Sequence, residues 1–391
     1  MAKPEIRLKG FKGEWCIKPI NRIASLKAGK SFNKNDAVDL PTSGYYPCYG
    51  GNGQRGYVPY YNQDGKYNII GRQGALCGCV NIAEGRFYAT EHAVLVTPIV
   101  DIDFNFLHES LVRANINQYA TGAAQPGISV ANVNAQLYLN IPTLDEQKAL
   151  GDFFKSLESM IQGVTKKIAS LKQMKQACLV SMFPQEGETT PRVRFKGFKG
   201  EWEKKILNDC LDISHEKNLD NRYGKNDVLS VSDDCGVMNQ IELLGRSYAG
   251  KSVSNYGVLN NGEIVYTKSP LKSKPYGIVK MNTGKTGIVS VLYAIYVAKE
   301  NTSTGFIHYY FDPAWRLNAY LLPLVNKGAK NTMNISDEMA LTGYIMIPKD
   351  IREQQKIATY FTSLDKQISL QEARLEKLKQ IKSACLDKMF V

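Results

Sequence analysis

The sequence predicts a mixed α/β (α+β) fold built twice: two similar blocks related by a pseudo-twofold axis and separated by two long antiparallel coiled-coil helices. Two observations predict it. The chain repeats itself, and each repeat ends in a long apolar heptad pattern. PEIRLKGFKGEW at Pro4–Trp15 returns as PRVRFKGFKGEW at Pro191–Trp202, and EQKALGDFFKSLESMIQGVTKKIASLKQMKQACLVSMF at Glu146–Phe183 returns as EQQKIATYFTSLDKQISLQEARLEKLKQIKSACLDKMF at Glu353–Phe390. The order is block, rod, block, rod, with diverged block interiors; a repeat of this kind has to be read before any local motif.

The first block is rich in Gly, Tyr, Asn and short β-branched runs (YYPCYGGNGQRGYVPYY, KYNIIGRQGALCGCVNI, AVLVTPIV), which reads as short strands joined by turns. The first rod carries apolar residues at heptad spacing: Leu150, Phe154, Leu157, Ile161, Val164, Ile168, Leu171, Cys178 and Met182. At a rise of 1.5 Å per residue such a helix is about 60 Å long. No small domain covers a stripe of that length, so its natural partner is the other rod. PQEGETTP, after Phe183, is a polar linker bounded by prolines. The second block repeats the strand-and-turn texture (DVLSVSD, EIVYTKS, GIVSVLYAIYVA), and the second rod the heptads: Ile357, Phe361, Leu364, Ile368, Leu375, Leu378, Cys385 and Met389. Lys175 and Lys382 hold the same seam position in the two rods. Similar halves pack most readily about a twofold axis, and an axis perpendicular to the rods makes them antiparallel. Leu144, Phe153, Met160, Ile351 and Tyr360 lie off the seam; they are either a face for a partner or packing onto the blocks.

Composition narrows the function. Lys and Arg number 49 against 37 Asp and Glu, a net charge of +12, which points to a polyanionic partner and first to nucleic acid. The longest apolar run, near Gly287–Ala298, is too short and too β-branched to span a membrane, and MAKPEIRLKG lacks an apolar signal core, so a cytoplasmic location is expected. Eight cysteines scattered over 391 residues fit free thiols in a reducing compartment.

Several short motifs suggest catalysis and fail on context. GRSYAGKS at Gly245–Ser252 fits the P-loop pattern, but VSNYGVLNNGEIVY follows, and its Asn and Gly residues break the helix a P-loop requires. GNGQRG at Gly51–Gly56 matches a dinucleotide fingerprint, yet YVPYYNQDG follows where a helix should start, so a Gly-rich turn fits better. TGKTG at Thr283–Gly287 and AGKSF at Ala28–Phe32 lack the upstream glycine. Cys77-Gly78-Cys79 could join Cys48 and His92 around zinc, but one short pair without a second is more often core packing. No nucleophile elbow supports a role for His92, His108, His215 or His308, and no methyltransferase signature is present, so no catalytic or metal-binding group is nominated.

What the blocks do carry is basic residues among aromatics and amides. In the first these are Asn52, Gln54, Arg55, Tyr57, Arg72, Gln73 and Arg86; in the second, Arg246, Lys251, Lys268, Ser269, Lys272, Lys274 and Tyr276. Arg pairs with guanine and Asn or Gln with adenine in the major groove, while Lys, Ser and Tyr hold phosphates.

Taken together the chain resembles the specificity (S) subunit of type I restriction–modification enzymes. The resemblance rests on the repeated F-K-G-E-W openings, YGGNGQRGYV, IGRQGALCG followed by ATEHAVLV, GAAQPGIS and GAKNTMNIS before the rods, and IPTLDEQ and IPKDIREQ leading into them. It implies a non-catalytic DNA-binding subunit with two target recognition domains, at residues 1–143 and, together with the linker, 185–349, and two spacer helices, at residues 144–184 and 350–391. Each domain would read one half of a bipartite, asymmetric double-stranded DNA target. It also implies two methyltransferase (M) subunits and restriction (R) subunits as partners. This chain would hold no cofactor: S-adenosylmethionine belongs to M, and ATP with magnesium to R. The motif-based alternatives are a P-loop NTPase, a stand-alone DNA methyltransferase, or a coiled-coil scaffold without DNA function.

Overall fold

A computed structural model describes residues 3–74, 76–122, 126–270, 274–327 and 333–391. The chain forms two compact units: Met1–Lys166 with Glu372–Val391, and Lys167–Gln371. The division falls inside both rods because each block packs on the start of one rod and the end of the other.

In the first unit the chain runs β1 (Cys16–Pro19), β2 (Ala24–Ala28), β3 (Tyr46–Gly50), β4 (Gly53–Val58), β5 (Gln63–Gly71), β6 (Val80–Ala89) and β7 (Ala93–Pro98). Then come α1 (Phe104–Arg113), β8 (Ala120–Thr121), β9 (Gly127–Ile128), α2 (Val130–Gln136), β10 (Tyr138–Ile141) and the first rod, α3 (Leu144–Ser181). The main sheet has the order β2-β7-β5-β6-β3-β4, antiparallel except where β3 lies parallel to β6. Both faces of its centre are buried, as alternation dictates. Ile70, Val94 and Val96 join Leu107 and Leu111 of α1 in one core, while Ile69, Ala93 and Leu95 join Phe87 in another. Asp103 caps α1 by accepting from the Phe106 N–H at 2.8 Å.

The second unit rebuilds this frame. It contains β11 (Glu203–Ile206), β12 (Leu211–Ile213), β13 (Leu229–Ser232), β14 (Gly236–Asn239), α4 (Gln240–Leu244), β15 (Gly257–Leu259), β16 (Ile264–Thr267), β17 (Ile278–Met281), β18 (Gly287–Val289) and β19 (Tyr293–Ala298). They are followed by α5 (Thr304–Phe311), α6 (Ala314–Leu321), β20 (Asn326–Lys327), β21 (Met333–Asn334), β22 (Tyr344–Ile347) and the second rod, α7 (Ile351–Met389). Its sheet order β12-β19-β16-β17 is that of β2-β7-β5-β6. β15 and β16 together stand for β5, and β17 and β18 for β6; the Asn260–Glu263 segment interrupts the first and Asn282–Thr286 the second.

The repeated sequence motifs fasten each block to its rod. Arg7 makes a bidentate pair with Glu146 (2.7 Å to each oxygen) and donates to the carbonyl of Gly13; Arg194 does the same with Glu353 (2.7 and 2.8 Å) and Gly200. Gln147 accepts from the Asp103 N–H, and Gln354 from the Ser303 N–H. Trp15 meets Phe106 edge-on, and Trp202 meets Phe306. F-K-G-E-W and E-Q therefore recur because they are the two sides of one joint.

Within each unit the rod segments run in opposite directions. In the first, Phe154 packs on Phe390 while Glu158, one turn later in α3, meets Lys382, earlier in α7, at 3.0 Å. In the second, Lys175 meets Asp365 at 2.8 Å and Cys178 meets the Tyr360 hydroxyl at 3.4 Å. Each seam lysine also reaches an acid of the neighbouring block, Glu109 for Lys382 (3.2 Å) and Asp312 for Lys175 (3.1 Å). Burial alone would lower both lysines, but these carboxylates overcome it and raise them. Burial would likewise raise Asp312, yet Lys280 and Lys175 hold it below the usual carboxylate range. Beside these pairs sit two histidines kept neutral chiefly by burial, His108 lowered to about 4 and His308 to about 3. Of the off-seam residues, Phe153 packs edge-on against Phe154 and Tyr360 against Phe195, while Met160 stays exposed. Among the described residues no helix is long and apolar enough to cross a membrane.

Candidate nucleic-acid interface

Four segments of the first unit converge on one place. They are the β3–β4 turn, the loop leaving β5, the turn between β6 and β7, and β9. Arg72 N–H donates to the carbonyl of His92 (2.8 Å), Ile128 N–H to that of Arg72 (2.8 Å), Gly74 N–H to that of Pro126 (3.1 Å) and Thr90 N–H to that of Tyr49 (2.9 Å). The β3–β4 turn lies backbone to backbone on the β5 loop: a Cβ at Gly51 would stand 2.3 Å from the Gln73 carbonyl oxygen, and one at Gly71 only 1.9 Å from that of Gly51. G-G-N-G and G-R-Q-G need glycine where these two stretches of backbone touch, at Gly51 and Gly71.

Around this junction opens a cavity of about 350 Å³, lined by the side chains of Asn52, Arg55, Gln73 and His92 over the backbone of Gly50, Gly51 and Gly74. Asn52, Arg55 and Gln73 are exposed. Arg55 lies over the Phe32 ring at 5.0 Å, a contact that helps hold its guanidinium in place. Three of the seven residues expected in this block thus meet. Arg72 supports the loop from beneath, its Nε donating to the Ile128 carbonyl at 3.3 Å. Gln54 is exposed and Tyr57 half-buried in β4 beside the cavity turn. Arg86 does not line the cavity; it pairs with Asp64 at 3.2 Å and lies over Tyr61 at 5.0 Å. His92 was not among the expected residues, and its only signal in the sequence is its place in A-T-E-H-A.

The second unit brings fewer of its expected residues together. Lys268 pairs with Asp337 at 2.6 Å, and Ser269 is exposed beside it. Lys274 is a correction: its amine is buried, pairs with Asp233 at 2.5 Å and donates to the Asp312 carbonyl at 3.0 Å. Tyr276 is a second correction, since its side chain belongs to the main core of the unit. Lys272 lies outside the described residues. Arg246 lies over the Tyr248 ring at 4.6 Å, and Lys251 is exposed. In G-R-S-Y-A-G-K-S, Gly245 is the left-handed cap (φ 76°) that ends α4, and β15 is the next regular element. The helix N-terminus that a P-loop needs is therefore absent at this motif.

Cys77 packs in the core of the first unit and Cys48 in a separate cluster with Val58 and Tyr88; burial raises the Cys48 thiol to about 11. Among the described residues no group of His, Cys, Asp and Glu could hold a metal ion.

Comparison with known proteins adds three findings. The family model for the type I restriction modification DNA specificity domain matches twice, at residues 12–173 and 199–380. The specificity subunit of the type I restriction enzyme EcoprrI from Escherichia coli is 36% identical over 162 residues; the match covers 41% of this chain and 39% of that protein's own length. The crystal structure of a type I restriction-modification S subunit from M. genitalium superposes with a TM-score of 0.69 at 14% identity, covering 100% of this chain and 99% of that one, which is a likeness of fold.

Proposed function

This chain belongs to the type I restriction-modification DNA specificity family, and from that membership we propose that it is the subunit that reads DNA for a methyltransferase and restriction complex. Each block acts as a target recognition domain for one half of a bipartite, asymmetric site, and the two rods act as the spacer between the halves. The chain performs no chemistry; two M subunits supply methyl transfer from S-adenosylmethionine, and R subunits the ATP-dependent cleavage. The complex works in the cytoplasm, where the host DNA is.

The observation that carries this reading is the cavity of the first unit, which sets an exposed Arg beside Asn, Gln and His. Arg55 suits guanine O6 and N7, and Asn52 or Gln73 suits adenine N6 and N7, both through paired hydrogen bonds in the major groove. In the second block Lys268, Ser269, Arg246 and Lys251 remain the DNA-facing set, with Gln54, Tyr57 and Arg72 beside the cavity of the first and Arg86 apart from it, next to Asp64. An NTPase reading finds no support in a G-K-S that no helix follows. The experiment is selection from random duplex DNA by the full chain in complex with its M subunits. The expected result is two unlike conserved half-sites around a fixed unread gap. DNA binding without any sequence preference would overturn the reading.

A further inference from the structure

The inference concerns how the second unit reads its half-site, and it rests on the DNA reading above. The turn between β6 and β7 in the first unit has an equivalent in the second. In the first, Ala93 N–H donates to the Thr90 carbonyl (2.9 Å) and His92 N–H to the Thr90 hydroxyl (3.3 Å). In the second, Tyr293 N–H donates to the Ser290 carbonyl (3.0 Å) and Leu292 N–H to the Ser290 hydroxyl (3.4 Å). The strands these turns open sit in the same register on the same neighbour, Ala93 opposite Gly71 and Tyr293 opposite Thr267. Leu292 therefore stands where His92 stands, and Val291 where Glu91 stands. By the same register Lys268 and Ser269 replace Arg72 and Gln73.

The replacement changes the chemistry of the tip. His92 lines the polar cavity of its unit. Val291 and Leu292 are 60% and 64% exposed, two adjacent branched aliphatic side chains turned to solvent. A single exposed apolar residue needs no explanation. A pair of them at the position that a base-reading surface occupies in the sister unit does. Among the bases in a duplex major groove, only thymine shows an apolar group, its C5 methyl, and apolar side chains recognise it there. We propose that Val291 and Leu292 form an apolar contact to a thymine methyl in the half-site read by the second unit, so that the two units read by different chemistries.

The test uses the full chain in complex with its M subunits. The selected site is first established, and each thymine is then replaced singly by uracil, which removes only the methyl. One position in one half-site should weaken by roughly fourfold, the worth of a buried methyl at about 0.8 kcal/mol. The V291A/L292A chain should bind thymine and uracil at that position equally while keeping its preference in the other half-site, which also shows that it folds. A site without thymine in either half, a uracil scan without effect, or a uracil effect undiminished in V291A/L292A would overturn the inference and leave the DNA reading standing. Failure to select any site overturns both.

Discussion

The two units differ most where they face outward and least where they meet their rods. At the joint, residue for residue, Arg7 and Arg194 grip Glu146 and Glu353, and Trp15 and Trp202 rest on Phe106 and Phe306. At the tips the backbone turn before β7 and β19 is kept, Thr90 matching Ser290, but the side chains that face outward are not. The β3–β4 turn carrying Asn52 becomes the β13–β14 turn carrying Asp233 and Asp234, and Glu91-His92 becomes Val291-Leu292. The difference teaches that the two joints reuse the same contacts, while the tips differ in side chain and, through Asp233 against the buried Lys274, in what lies beneath them. Each prediction below breaks one side of that contrast.

The largest effect belongs to the joint. Arg7→Met leaves Glu146, 1% exposed, as a buried unpaired charge. We expect a loss of about 3–5 kcal/mol in the stability of the first unit, since removing one partner of a buried pair strands the other. Arg194→Met should do the same to the second unit. Amide exchange resolved along the chain checks this: protection should fall in one unit for each variant, and equal loss in both would show that the joints are not separate.

Next comes acid. His108 is half-buried, and burial foremost holds its folded pKa at about 4 against an ordinary 6.5. A lowered histidine pKa means that the unfolded chain takes the proton first, so stability present above pH 6.5 is lost as pH falls toward 4. For this one group the loss between pH 7 and pH 5 is about 2 kcal/mol. His108→Gln should flatten that slope for the first unit and leave the second, with its own His308, unchanged. Denaturant midpoints at the two pH values give the answer, and an equal slope in the variant refutes the assignment.

How much of this was readable beforehand follows the same contrast. The rods were legible because they depend on periodicity and on repetition within one chain: Leu150, Phe154 and Leu157 recur as Ile357, Phe361 and Leu364, and both sets are buried. The repeated openings were legible as a duplication, but not as the joint in which Arg7 and Arg194 grip the rods. The cavity was half legible. Asn52, Arg55 and Gln73 announce themselves as polar residues in glycine-rich turns. That those glycines serve contact between Gly51 and Gln73 is invisible, because it depends on two turns meeting in space. Lys274 misled for a related reason: a lysine in a basic loop reads as a free cation, and its burial against Asp233 depends on a turn some forty residues earlier. His92 reads in the sequence as a possible zinc ligand, and its place in A-T-E-H-A does not point to a cavity, since a lone histidine between strands has many uses.

On the outward side, Arg55→Ala should cost ~1–3 kcal/mol on DNA bearing the correct first half-site and far less on DNA whose first half-site is already wrong. Its cation–π contact with Phe32 is a surface contact, so folding should be unaffected. Titrating the complex against the two DNAs separates the cases. Equal weakening on both would turn Arg55 into a phosphate contact and remove the strongest base reader from the first unit.

The smallest effect tests the motif that most resembled an enzyme. Lys251 is exposed in an irregular segment that no helix follows, so its remaining use is as a point charge near a polyanion. Lys251→Ala should weaken binding about equally on every DNA sequence and leave both half-site preferences intact. Because each phosphate contact releases roughly one counterion, the slope of log affinity against log salt should become shallower by about 0.9. Arg55→Ala should leave that slope as it is, so the pair of variants distinguishes a residue that reads from one that only holds. An unchanged slope in Lys251→Ala would mean that Lys251 does not touch the backbone, and the second unit would then hold DNA through Arg246, Lys268 and Ser269 instead.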